Sequence, residues 1–289
     1  MEEIERRKQS ARAWFESLRD RICAALEAIE TESAFALDDP EGARAPARFQ
    51  RKAWQREDGG GGVMGLLSEG RVFEKAGANV STVFGTFSEA FAREIPGAAE
   101  NPGFWASGIS LVIHPRNPLV PPVHMNTRYV VTAKAWFGGG ADLNPIYPQE
   151  EDTAAFHARL RRACDAHGAD YYERFSAWCD KYFFNKHRSE PRGVGGIFYD
   201  YLDADWGPDF AFTRDVGLAF LDIYPQLVRR NKDRVYGEAE RTHQLFRRGR
   251  YAEFNLVYDR GTRFGLMTGG NPDAVLMSLP PLASWPAPI

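Results

Sequence analysis

Apolar residues recur through the opening segment at Ile4, Ala11, Trp14, Phe15, Leu18, Ile22, Leu26 and Ile29, the three-to-four spacing of an amphipathic helix. The stripe predicts a helix over 1–31, ending before the turn signal Asp38-Asp39-Pro40-Glu41-Gly42. From 49 to 85 the chain reads as glycine-rich strands. At 107–114 and again at 123–137 the period becomes two, so Ser110, Val112 and His114 share one face against Ile109, Leu111 and Ile113. His124, Asn126 and Arg128 likewise oppose Met125, Thr127 and Tyr129. The run Gly138-Gly139-Gly140-Ala141-Asp142 follows, readable as a hairpin turn or as a close approach of backbone to ligand. Helical spacing returns at 151–167, 170–186, 213–231 and 237–248. Over 251–270 a hairpin is predicted, with Glu253, Asn255, Val257 and Asp259 on one face and Asp259-Arg260-Gly261-Thr262 as its turn. Interleaved helices and hairpins give an α+β chain with an antiparallel sheet, read as a single domain over 1–289.

An imidazole, an amide and a guanidinium in successive same-face positions are not what a strand needs merely to bury a core. That face reads as a pocket floor. At roughly 3.3 Å per residue, His124 and Arg128 stand about 13 Å apart, a span that suits a macrocycle better than a small acid. The balance of charge restricts the partners further. Lys and Arg number 36 against 39 Asp and Glu, a net −3, which argues against a nucleic-acid surface or a polybasic membrane patch. Attraction for an anion must therefore be local. No apolar run approaches the ~18 residues of a membrane span, and the charged N-terminus shows no apolar core of a secretory signal. Cys23, Cys164 and Cys179 are odd in number and widely spaced, as expected of reduced thiols in a cytoplasmic protein. Neither a phosphate-binding GxxxxGK[ST] nor a GxGxxG between strand and helix is present, so no nucleotide cofactor is expected.

Five segments carry a resemblance to a known family: VFEKAGANVSTVFG at 72–85, GISLVIHPRNPLVPPVHMNTRY at 108–129, WFGGGADLNP at 136–145, WCDKYFFNKHRSEPRGVGGIFYD at 178–200 and EFNLVYDRGTRFGLMTGGN at 253–271. In this order they resemble aerobic, oxygen-dependent coproporphyrinogen III oxidase. The resemblance implies a large flat antiparallel sheet with helices on both faces, a homodimer, and a macrocycle bound over the sheet. It implies oxidative decarboxylation of two propionates of coproporphyrinogen III to vinyl groups, in heme and porphyrin biosynthesis, giving protoporphyrinogen IX, carbon dioxide and hydrogen peroxide. Molecular oxygen is the co-substrate and no organic cofactor is implied. Departures from the family pattern stand at GGGGVMGLL, which lacks a Ser-Arg pair, at Ala177 for Lys, at Tyr199 and Tyr201 beside the single acid Asp200, and at Asn271 for Arg.

For such a substrate, guanidinium groups receive carboxylates through paired hydrogen bonds, which suits Arg128, Arg192 and Arg260. A carboxylate is the natural acceptor for the inner pyrrole N–H groups, with Asp259 the leading choice and Asp142 either sharing that ring or holding an arginine. Ser110 and the backbone around Asn126, Thr127, Gly269, Gly270 and Asn271 complete the expected shell. His124 is expected to move the proton, because imidazole titrates at about 6.5. The resemblance also marks His114, His124, His157 and His187 as positions for a divalent metal such as manganese. No HxH or HExxH pair supports that set, and each histidine singly has a structural reading. His167 and His243 read as surface residues. Two other classes stay open: a metal-dependent oxygenase or hydrolase on a carboxylated substrate, and a non-catalytic tetrapyrrole carrier.

Overall fold

The computed structural model describes residues 2–33, 44–267 and 269–285, so the turn signal at 38–42 lies outside the described residues. In chain order the elements are α1 (Glu2–Glu32), β1 (Gln50–Gln55), β2 (Gly60–Ser68), β3 (Phe73–Thr86), α2 (Glu89–Ala92), β4 (Gly103–Pro115), β5 (Val123–Val131) and β6 (Ala135–Leu143). Then follow α3 (Glu150–Asp165), α4 (Tyr171–Tyr182), β7 (Phe184–Asn185), β8 (Glu190–Pro191), β9 (Gly196–Leu202), α5 (Trp206–Asn231), α6 (Glu238–Val257), α7 (Arg260–Met267) and α8 (Pro272–Leu276). Seven strands form one sheet in the order β1-β2-β3-β4-β5-β6-β9, antiparallel throughout.

Period two assigns the sheet its two faces. Ile109, Leu111 and Ile113 of β4, with Met125 and Tyr129 of β5, join one core with Phe15, Leu18 and Ile22 of α1, Phe156 of α3 and Phe212, Val216 and Phe220 of α5. The opposite face is roofed by the C-terminal segment. Phe254 of α6 packs with Phe183 and Phe198, and Ala274 and Met277 pack on Met64 of β2. Helices thus flank a large antiparallel sheet on both faces, and one face carries the polar row.

Three expectations are corrected. Residues 123–137 are not one strand but β5 and the start of β6, and the glycines 138–140 lie inside β6 rather than in a turn. The hairpin at 251–270 is absent: α6 continues to Val257 and α7 begins at Arg260. The side chains that α6 buries from Arg248 on, which include Tyr251, Ala252, Phe254 and Asn255, recur at helical spacing, so packing against the sheet decides the period. Glu253, Asn255 and Asp259 therefore do not share a strand face.

Candidate active site

The site grows out of the register of the sheet. Asn126 of β5 stands opposite Ser110 of β4 and Gly140 of β6, while His124 stands opposite Val112 and Asp142, and Arg128 opposite Gly108 and Gly138. Asn126 and Arg128 on β5 are thus flanked by small residues on both sides. Glycine at 138 leaves room for the pair beside it: a Cβ there would lie 2.6 Å from Asp200 Oδ1 and 2.8 Å from Arg128 Nη2, so those side-chain ends would have to shift.

Donor and acceptor chemistry orders the row. An arginine only donates, so the Asn126 oxygen must face Arg128, whose Nη1 donates to it at 3.0 Å. The Asn126 amide nitrogen then donates to His124 Nε2 at 3.1 Å. The imidazole proton is therefore on Nδ1, which donates to Asp142 Oδ1 at 2.7 Å. Behind it, Arg192 Nη2 donates to both oxygens of Asp142 at 2.8 and 2.7 Å. Burial alone would raise the Asp142 pKa, but Arg192 and His124 outweigh it and hold the carboxyl down at about 2. Burial likewise disfavours the Arg192 charge, and Asp142 overcomes that and raises its pKa. At the other end of the row, Arg128 Nη2 lies 2.7 Å from Asp200 Oδ2, and Arg260 Nη2 approaches the same oxygen at 3.3 Å. The result is an imidazole whose two nitrogens have separate partners, held between a buried ion pair and an accessible guanidinium.

The expected site residues divide between this row and its surroundings. Ser110 lies beside Asn126, whereas the Thr127 side chain is fully buried on the opposite face and only its backbone borders the site. Arg192 is not a free propionate ligand: it is buried, bonded to Asp142 and Asn255, and stacked 3.9 Å over Phe183. It positions Asp142, which positions His124. Arg260 is more than half exposed and free to reach a carboxylate beyond Asp200. Asp259 sits at the start of α7, where Oδ2 accepts from the Thr262 N–H at 2.7 Å and Oδ1 accepts from the Tyr182 hydroxyl at 3.1 Å. The Tyr182 ring stacks on Phe198 at 4.3 Å, which ties Asp259 to the roof of the polar face. Gly269, Gly270 and Asn271 form the turn into α8, where Asn271 Oδ1 accepts from the Ala274 N–H at 3.1 Å. Asn271 is therefore a helix cap, and α8 rests on β2 and β3.

Sequence reasoning missed Asp200 as a site residue, although Phe198 and Asp200 alternate onto one face of β9. It also missed Tyr182 and Asn255, whose roles arise from helices folding back over the sheet.

The four histidines proposed as metal ligands do not converge. His114 Nε2 meets the Ser278 carbonyl at 2.9 Å, and burial, then the nearby Arg248 charge, push its pKa down to about 3. His157 lies between the Tyr172 hydroxyl and the Val194 carbonyl, and His187 between the Tyr258 hydroxyl and Glu253. Among the described residues no group of three or more His, Cys, Asp or Glu side chains is placed to hold a metal ion. These residues do not fit the metal set that the resemblance implied. His167, expected to be a plain surface residue, bonds Asp215 at 2.7 Å.

A sheet face bearing linked guanidinium, amide and imidazole groups under a helical roof gathers the charge and donors on which a carboxylate could be received. The family model for coproporphyrinogen III oxidase matches residues 10–287, and the chain belongs to that family. It is similar to the oxygen-dependent coproporphyrinogen-III oxidases of Rickettsia bellii (strain RML369-C), 55% identical over 94% of this chain and 96% of the relative, and of Rickettsia africae (strain ESF-5), 54% identical over 95% and 96%. The Rickettsia rickettsii (strain Sheila Smith) protein of the same description is 53% identical over 95% of this chain and 96% of its own length.

Proposed function

We propose that this chain oxidatively decarboxylates two propionates of coproporphyrinogen III, giving protoporphyrinogen IX in heme biosynthesis, as one catalytic domain over its whole length. The observation that supports it is the row Arg128-Asn126-His124-Asp142-Arg192, in which a carboxylate-binding cation and a proton-transfer group are wired together on one sheet face. Each propionate, with one O2 and one proton, becomes a vinyl group, CO2 and H2O2. Oxygen takes the hydride equivalent, so the electron-rich pyrrole and oxygen supply the redox chemistry and the protein supplies binding and proton transfer. Arg128 and Arg260 receive propionates. The His124 Nε2 lone pair, occupied by the Asn126 N–H, becomes available when substrate displaces that contact.

Turnover of coproporphyrinogen III under air and under argon, with and without chelator, tests the reading. CO2 release and oxygen uptake are expected under air only. Loss of activity on chelation, restored by metal, would favour the metal-dependent alternative, and tight binding without oxygen uptake the carrier.

Within the row the two ends should separate kinetically. His124→Ala is expected to lower kcat by about 10²–10⁴ with little change in KM, the scale of a lost acid–base group. Arg128→Ala should instead raise KM by about tenfold or more, as expected for a lost charge-assisted contact. Near-parental kinetics in both variants would remove this face from the site.

We also propose a homodimer in a reducing, cytoplasmic setting. The three cysteines are buried thiols, with burial pushing Cys23 and Cys164 up to about 12, which suits a reducing compartment. No helix among the described residues is long and apolar enough to cross a membrane. Exposed Leu256, Val257, Leu266 and Met267 on α6 and α7 offer an apolar surface for pairing. Sedimentation at micromolar concentration should give about twice the 32.5 kDa chain mass, and an active monomer would contradict it.

A further inference from the structure

Asp200 is a carboxylate at the end of the polar row that already sits between two guanidinium groups. Its Oδ2 lies 2.7 Å from Arg128 Nη2 and 3.3 Å from Arg260 Nη2. The placement is built into the backbone. Phe137 pairs with Leu202 and Gly139 with Tyr199, so Gly138 alone faces both Asp200 and Tyr201, a bulge that adds one residue to β9. Tyr201 takes the left-handed conformation at φ 55°, which a tyrosine rarely adopts, and its N–H is held by Asp200 Oδ1 at 3.0 Å. The missing Cβ of Gly138 leaves the space in which Asp200 and Arg128 meet. Bulge, strained residue and glycine together aim one buried carboxylate at the cation that the substrate needs.

We infer that Asp200 is a resident stand-in for a substrate propionate, which competes for Arg128 and Arg260 and so limits how tightly the site holds carboxylates. This rests on the functional reading above and adds to it a residue that sets affinity. An incoming propionate either displaces Asp200 or brings a second negative charge beside it, and both weaken binding. The weakening is useful to this reaction. The product retains two of the four carboxylates, and a site that bound them all without opposition would release it slowly while gaining nothing in the chemical step. As product leaves, Asp200 takes the two guanidinium groups back and spares Arg128 an uncompensated charge. Arg260, more exposed and on a separate helix, is the partner that swings between the two carboxylates.

Asp200→Asn removes the competing charge and keeps the acceptor for the Tyr201 N–H. Titrating coproporphyrin III, the unreactive oxidised macrocycle with all four carboxylates, should show binding about tenfold tighter than in the parent, with the gain shrinking as salt rises. In turnover assays KM should fall while kcat does not rise. Asp200→Glu, which retains the charge, should show no such gain. Should the amide variant fail to fold by circular dichroism, the neutral Asp200→Ser carries the same expectation. A folded neutral variant that binds the porphyrin no better than the parent, or a Glu variant that tightens, overturns the inference. A merely structural Asp200 predicts weaker binding, because Arg128 loses its anchor. A parent that neither binds the porphyrin nor consumes oxygen would sink the functional reading itself.

Discussion

Asp142→Asn should lose about 3–5 kcal/mol of folding stability and most of its turnover together, because one carboxylate serves both. Asp142 is 1% exposed, and the guanidinium it neutralises belongs to Arg192, also buried. Removing the negative partner leaves that cation without compensation in a place where water cannot reach it. The amide can still accept from one donor, but His124 loses the acceptor that fixes its proton on Nδ1. The tautomer then becomes free to change, Nε2 is no longer reliably a base, and kcat should fall by about 10²–10⁴. The pH dependence gives an independent check. The carboxyl is held at about 2 in the folded chain against an ordinary 3.8, so its contribution is fully present above about pH 4 and is lost as pH falls through 2. Urea unfolding at pH 7 should separate parent and variant widely, and the gap should narrow between pH 4 and pH 2. An equal gap at both ends would mean that the buried pair is not its source.

How far the site can be read in the sequence depends on the range of the interactions that set it. In β4 and β5 the side-chain period is dictated by the strand itself, so the shared face of Ser110, His124, Asn126 and Arg128 is legible before any fold is known. The same local logic failed at 251–270. There Glu253, Asn255, Val257 and Asp259 alternate as a strand would, and Asp-Arg-Gly-Thr is a good turn, yet Arg248, Tyr251 and Asn255 also fit one helical face. The choice falls to packing of α6 across the sheet, which no short window contains. Gly138 and Gly140 were open to two readings for a related reason. The lack of a side chain at 138 answers to Arg128 and Asp200 on the neighbouring strands, and a Cβ at 140 would lie 2.2 Å from the Ile197 carbonyl of β9. Arg192 was legible as a cation but not as a buried one. Its partners, Asp142 and Asn255, are distant in sequence and meet it only after folding.

Asp259→Asn should fold and lose little stability, yet fall in turnover by roughly 10²–10³, the scale of a lost electrostatic contact in an active site. The correction of the hairpin sharpens this expectation. Asp259 accepts from the Thr262 N–H and hydroxyl at 2.7 and 2.8 Å, the arrangement of a helix cap, and asparagine caps about as well as aspartate. Loss of a negative charge at a helix N-terminus costs only about 0.3–1 kcal/mol. The other oxygen faces the Tyr182 hydroxyl, whose pKa is pushed up to about 12 by burial and then by the Asp259 charge, so the phenol stays protonated and donates. The same hydroxyl accepts from the Arg260 N–H at 3.1 Å, so Asp259 also helps set where Arg260 begins. The half-buried carboxylate thus stands at the roof of the polar face, and the role proposed for its charge is to accept from pyrrole N–H groups. The amide variant keeps the cap and the shape and removes only that charge. Thermal unfolding beside oxygen-dependent CO2 release tells the roles apart. Parental stability with collapsed turnover supports an acceptor for the pyrroles, whereas parental turnover leaves Asp259 a cap and nothing more.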